Sequence, residues 1–448
     1  MTNTAQVLMS GGKLTSRKMF FALAVICTLT SVAVPRAQAQ TFSVLHTFTG
    51  ETDGANPMAG VTLDEEGHLY GTTYFGGTHD CGVVFKLSHQ GSGWVLTSLY
   101  SFAGNTLNDG CEPAQRVIFG PDGRLYGTTF VGGVNLNLGL GTIFRLSPPA
   151  TACKSVSCPW TETVLHSFTG TNGGSQLDGA YPIGGDLTFN AADTIYGTTT
   201  QGGSQAGGYC QNQGCGTVYE LNPNNLNESV IYDFGAGSLA TPYGGVVRDS
   251  ANNLYGTASA GGIAWGAVYE LTQNNDGVWS QNTIYNFQDL ADGAYPIAGL
   301  WLDGSGRLYG ASSQGSFDGG GEAFELSPSG GGWTFNNVHG FDSGPEANLT
   351  MDASGNLYGT AYRSGGCGAV FKLTPNNGGF TYTALHVFSC GSDGSGPISN
   401  VVMDSAGNLY GTTSGGGLAG GCFAGEGCGV VWEIAGVGAA DLAQPISP

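Results

Sequence analysis

Five stretches of this chain repeat one pattern, D-G-x-x-P: "DGANP", "DGCEP", "DGAYP", "DGAYP" and "DGSGP", which place Asp53, Asp109, Asp178, Asp292 and Asp393. Two related stretches depart from it, "ATPYGG" and "DSGPEA". Carboxylates gathered around one mouth could take Ca²⁺, which wants roughly six to eight oxygen ligands, or a cationic or polyhydroxylated ligand. Asp-Gly also makes a turn unaided, the aspartate capping its own backbone and Pro ending the turn, and the pattern leaves both readings open. Tyr181, Tyr243 and Tyr295 lie in the same stretches. Aromatic faces beside carboxylates suit sugars, but the rings could equally pack against neighbouring elements.

Other residue types offer less chemistry. Asp64, Asp249, Asp303, Asp352 and Asp404 open a D-x-x-G-x-L-Y motif. This reads as a hairpin turn, because the calcium-loop pattern D-x-[DN]-x-[DN]-G is never completed. His46, His166, His339 and His386 occupy a position that is Tyr in other copies, which points to structure rather than catalysis. His79 is the histidine to test for acid-base work. Trp94, Trp160, Trp279 and Trp333 recur at one place in the pattern and read as packing residues. The chain has no G-x-S-x-G, no H-E-x-x-H and no phosphate-binding loop.

The elements that must position these residues are repeats. The tyrosine of an L-Y-G or I-Y-G core falls at Tyr70, Tyr126, Tyr196, Tyr255, Tyr309, Tyr358 and Tyr410, at intervals of about fifty to seventy residues. Each unit contains four short alternating pieces, such as "GVTLD", "LYGTT", "GVVFKL" and "WVLTSLYSF", bounded by Gly, Asp and Asn. Four antiparallel strands repeated seven times predict an all-β, seven-bladed β-propeller over 41–435, since a ring of sheets buries each against the next. A copy of the outer-strand pattern, "SVLHTF", precedes the first complete unit, and none follows the last. It is therefore expected to supply the outer strand of the last blade and close the ring. In this phase the D-G loops entering each inner strand share one face with the loops joining the second and third strands.

The pattern "LYGTT...GG...GVVFKL...LHTF...DG..P" resembles the GloVer tandem repeats of exported bacterial proteins with varied C-terminal anchors. That resemblance implies a cell-surface or extracellular bacterial protein and brings no reaction onto particular residues. The tail over 436–448 carries neither an apolar helix nor a sorting motif, which departs from the anchored members and leaves surface anchoring open.

Export is also read from the N-terminus and from cysteine. Lys13, Arg17 and Lys18 precede an apolar run ending in "AQA", so residues 1–40 are expected to be a cleaved signal peptide. Cleavage would leave ten cysteines, an even number that favours disulfides; no C-x-x-C pair supports the competing zinc reading. Position in the repeats pairs Cys81 with Cys111, Cys210 with Cys215, Cys367 with Cys390 and Cys422 with Cys428 on one face, and Cys153 with Cys158 on the other.

Four of the 13 cations and no carboxylate lie in the first 40 residues, so the remainder carries 9 basic against 33 acidic residues, a net charge of −24. Nucleic acid and anionic membranes are disfavoured as partners. No second apolar segment predicts a membrane span, and a monomer is expected. The leading function is a secreted or periplasmic binding or scaffold module for a carbohydrate, metal ion or exported protein. The alternative is an extracellular carbohydrate-active or lactone-cleaving enzyme with a metal at the channel mouth.

Overall fold

The first repeat shows how local pattern becomes a blade. Its strands Val61–Leu63, Leu69–Thr73, Val83–Gln90 and Gly93–Ser101 pair antiparallel in chain order. The second strand is buried along its whole length, whereas the outermost is exposed or half-buried except at Leu99. Such a sheet must be covered on both faces, and only a ring supplies that for every copy. Seven four-stranded sheets of this kind make the propeller. The computed structural model describes residues 40–438, apart from 92, 105–107, 134–138, 150–159, 171–177, 205–209, 211–212, 237–238, 264, 289–291, 316–318, 418–421 and 423–426. The expected signal peptide, the Cys153–Cys158 pair and the tail beyond 438 lie outside the described residues. Among those described there is no α-helix.

The ring closes as expected from its first strand. Thr41–Thr47 pairs with Val430–Ala435, Thr41 opposite Ala435 and Thr47 opposite Val430, and so becomes the outer strand of the seventh sheet. Phe42 stacks on His386 of the sixth blade at 3.7 Å between ring centroids, so this strand also covers a blade junction.

The L-Y-G core has a physical reason for each letter. Leu69 is fully buried. Tyr70 packs into the cluster of the second blade with Leu125, Phe144 and Leu146, while its hydroxyl donates to Asp64 at 3.0 Å. Asp64 in turn accepts the Glu66 and His68 amides, which makes D-x-x-G-x-L-Y a side-chain-capped hairpin turn, as the sequence implied. Gly71 lies opposite Phe85, and a Cβ there would meet the ring at 2.5 Å; Gly411 stands in the same relation to Trp432. Glycine is needed so that an aromatic ring of the third strand can lie flat across the second.

Candidate functional site: the channel mouth

The seven innermost strands enclose a central cavity of about 960 Å³. Two rings of equivalent residues close it on the side of the D-G loops. The upper ring is the residue after the loop proline in every blade: Met58, Ala114, Ile183, Tyr243, Ile297, Glu346 and Ile398, which line a recess of about 150 Å³. The lower ring is the residue one or two places before each inner strand: Gly60, Arg116, Asp186, Gly245, Gly299, Asn348 and Asn400. Arg116, Asp186 and Asn400 border both the recess and the cavity, so this ring is the floor of one and the roof of the other.

The lower ring is a connected polar belt. Arg116 donates through Nε at 2.9 Å to Asp186 Oδ2, with Nη2 at 2.7 Å from the same oxygen. Asn400 Nδ2 donates to that oxygen at 3.2 Å, while its Oδ1 accepts the Asn348 amide at 2.9 Å. Asn348 Oδ1 accepts the Gly299 amide at 2.6 Å. At Gly60 a Cβ would meet the Asn400 carbonyl oxygen at 2.4 Å, so the polar side chains cross from some blades because others bring only backbone.

The loops hold the upper ring in place by an unusual backbone. Asn56, Glu112, Tyr181, Thr241 and Tyr295, each directly before the loop proline, have φ between 52° and 61°. That left-handed conformation costs a non-glycine residue roughly 1–2 kcal/mol. Two backbone hydrogen bonds offset the cost. The Thr241 amide donates to the Cys215 carbonyl at 2.8 Å, and the Thr241 carbonyl accepts the Ser259 amide at 3.0 Å. Asn56, Glu112 and Gly396 donate in the same way to Cys428, Cys81 and Cys367. Every one of these acceptors belongs to a disulfide: Cys81–Cys111, Cys210–Cys215, Cys367–Cys390 and Cys422–Cys428 pair as the repeat positions implied, with Cα atoms 4.5, 5.2, 5.3 and 5.2 Å apart. The four bridges therefore anchor the loops that carry Met58, Ala114, Tyr243 and Ile398. Short ladders such as Leu239–Ala240 with Ala260–Gly261 join the two sets of loops, which do share one face.

The loop aspartates lie at blade junctions instead of the channel; none lines the recess or the cavity. Each caps the chain as it leaves an outer strand and meets the His or Tyr of that strand. Asp53 accepts the Thr49 amide at 3.1 Å and pairs with His46 at 3.1 Å. Asp109 does the same with Ala103 and Tyr100, Asp178 with Thr169 and His166, Asp292 with Gln288 and Tyr285, and Asp393 with Ser389 and His386. These bonds satisfy the turn reading of D-G-x-x-P and explain why His and Tyr alternate at one strand position: either can meet the carboxylate. Burial pushes the Asp53 carboxyl up, but His46 and Thr49 outweigh it and hold it below the usual range. At Asp109 burial prevails and the carboxyl is held above it.

Of the three loop tyrosines, Tyr243 alone lines the recess. Tyr181 packs on Phe130 with centroids 5.0 Å apart, and Tyr295 on Trp265 at 5.6 Å. Burial pushes the Tyr243 phenol up and the Glu346 charge adds to this. Burial likewise raises the Glu346 carboxyl against the pull of Arg363. His79 sits on an exposed loop with Nδ1 2.9 Å from Thr78 Oγ1.

Sequence reasoning passed over Arg116, Asp186, Glu346, Asn348 and Asn400. The signal was present: aligned on the loop proline and the inner strand, the repeats break their own symmetry at these two columns. The polar groups beside apolar Met58, Ile183, Ile297 and Ile398 can hydrogen-bond a small ligand and cover its apolar faces.

No curated protein matches the chain. Among solved structures it is similar to the extracellular domain of a one-component system from B. thetaiotaomicron, with 10% identity and a TM-score of 0.50, covering 88% of this chain and 40% of that one. The chain thus spans well under half of that structure. It is also similar to a luciferin-regenerating enzyme, with 12% identity and a TM-score of 0.43 over 91% of this chain and 99% of that one. The PQQ-bound aldose sugar dehydrogenase of Streptomyces coelicolor has 11% identity and a TM-score of 0.41 over 89% of this chain and 99% of that one. At 10% identity the first of these likenesses speaks to the fold alone, and the other two carry no argument. The model of the Gloeobacter/Verrucomicrobia repeat matches residues 30–212 and 207–425, in agreement with the repeats read above, and the chain belongs to that repeat family.

Proposed function

We propose that the protein is an exported binding propeller that holds a small polyhydroxylated ligand, a sugar ring, in the recess at the channel mouth. The observation that carries this reading is the broken symmetry of the two rings. The Leu/Ile-Tyr-Gly core recurs in all seven blades, whereas the ring positions carry Arg116, Asp186, Tyr243 and Glu346 once each and Asn at 348 and 400. A ring that only closed the fold would have no need of such variety. Tyr243 offers an aromatic face, Glu346 and the belt offer donors and acceptors, and the remaining ring residues are apolar. At about 150 Å³ the recess is small, which suits one sugar ring or the end of a longer chain. The four described disulfides support export. Among the described residues no helix is long and apolar enough to cross a membrane.

Thermal unfolding of the protein against a panel of mono- and oligosaccharides tests this. A ligand at ~100 times its dissociation constant adds ~2.7 kcal/mol when it binds only the folded state. The expected shift disappears in Tyr243→Ala and Glu346→Gln and survives in Asp53→Asn and Asp393→Asn. A shift that follows the loop aspartates, or none with any sugar, overturns the reading.

A further inference from the structure

We infer that His166, Asp178 and Glu228 form a binding site for a divalent transition metal of the zinc class, at the junction of the second and third blades and apart from the channel. His166 belongs to the outer strand of the second blade, Thr161–Ser167, and Glu228 to that of the third, Asn227–Asp233; Asp178 lies in the loop between the blades. One nitrogen and two carboxylate oxygens, drawn from these three side chains, lie within 4.8 Å of one another.

The geometry is close to a tetrahedral metal shell. His166 Nε2 and Asp178 Oδ1 are 3.2 Å apart. Ligands on a tetrahedral zinc with bonds of about 2.0–2.1 Å stand ~3.3 Å from each other. Glu228 Oε2 is 4.0 Å from His166 Nε2, so a small rotation of one side chain completes the set. Asp178 is already oriented, as metal ligands are by their outer partners: Oδ2 accepts the Thr169 amide and hydroxyl, each at 2.7 Å, and Oδ1 accepts the Gly179 amide at 2.7 Å.

A second observation points the same way. The Glu228 side chain is only 10% exposed, and its Oε1 is buried with no hydrogen-bond partner. A buried carboxylate oxygen without a partner is costly, and a cation between it and the His–Asp pair removes that cost. The His–Asp pair alone recurs, at His46–Asp53 and His386–Asp393, but there the third position holds Leu96 and Phe42. Glu162 fills that position opposite Tyr100, which is no metal ligand of this class. Among the described residues, histidine and both carboxylates coincide at this blade junction alone. A histidine with two carboxylates favours zinc or cobalt over calcium, which takes oxygen ligands.

The test is calorimetric titration of the metal-stripped protein with Zn²⁺, together with the visible spectrum of the Co²⁺ form. One saturable equivalent is expected, with an intense four-coordinate cobalt spectrum, and Glu228→Gln is expected to weaken Zn²⁺ at least ~10-fold. His386→Gln, which alters a pair lacking the third ligand, leaves binding unchanged. Glu228→Gln keeps the size of the side chain and removes a buried charge, so the variant folds and the comparison stands. Absence of saturable binding overturns the inference, as does Zn²⁺ binding or a cobalt spectrum that Glu228→Gln leaves unaltered.

Discussion

Arg116 and Asp186, 70 residues apart and on neighbouring blades, form a two-nitrogen ion pair across the channel. Their side chains are 23% and 18% exposed, so both retain some contact with water. Removing the guanidinium leaves the Asp186 charge with the Asn400 amide as its remaining cross-channel donor. Arg116→Met is expected to cost about 1–3 kcal/mol, less than the ~3–5 kcal/mol of a fully buried pair. Adding Asp186→Asn restores part of the loss, and a coupling above ~0.5 kcal/mol in a urea double-mutant cycle checks it.

Disulfides separate stability from site geometry. Cys81–Cys111 closes 30 residues and Cys210–Cys215 only 5, so chain entropy assigns them about 4 and about 2 kcal/mol. The Cys81→Ser/Cys111→Ser variant is expected to lose more in denaturant midpoint. Cys210→Ser/Cys215→Ser is expected to lose more in sugar binding, because the Cys215 carbonyl holds Thr241 two residues before Tyr243. Denaturation curves and binding isotherms of the two variants, side by side, decide the matter.

Closure of the ring rests on Phe42. Besides stacking on His386, its ring lies 5.9 Å from Phe388 and 6.3 Å from Trp432. Phe42→Ala is expected to cost about 2–4 kcal/mol. Deleting the chain through Thr47 goes further, since it bares Val430–Ala435 as an unpaired edge, and light scattering should then show association.

A pH dependence follows from Glu322. The residue is fully buried, and burial, with the Asp292 charge adding to it, pushes its carboxyl from 4.5 up to about 8. The unfolded chain releases this proton near 4.5 and the folded chain near 8. Stability therefore stands at its full value below the lower pH, falls as pH rises through the window, and levels above it, with a slope of at most ~1.4 kcal/mol per pH unit. Glu322→Gln should flatten that decline, raising the melting temperature at pH ~8.5 while changing little at pH ~4.5, as read from parallel melts.

Much of this architecture was legible in the chain itself. Alternation in "GVTLD" and "LYGTT", the Asp64-type turns and the copy of the outer strand at Thr41–Thr47 report strands, hairpins and ring closure, because each rests on contacts within a few residues or on a simple count of repeats. The same local physics offered D-G-x-x-P as a turn, beside a ligand reading that the pattern left open, and the partners of the eight described cysteines followed from their places in the repeat. The site was a different matter. Asn400 and Asp186 are 214 residues apart and share a hydrogen bond only because seven blades turn one position of each repeat toward a common axis. His166, Asp178 and Glu228 likewise meet across a blade junction. Strand pattern determines which residues face a neighbour, but closure of the ring sets which neighbour that is, and chemistry between blades follows from the second of these.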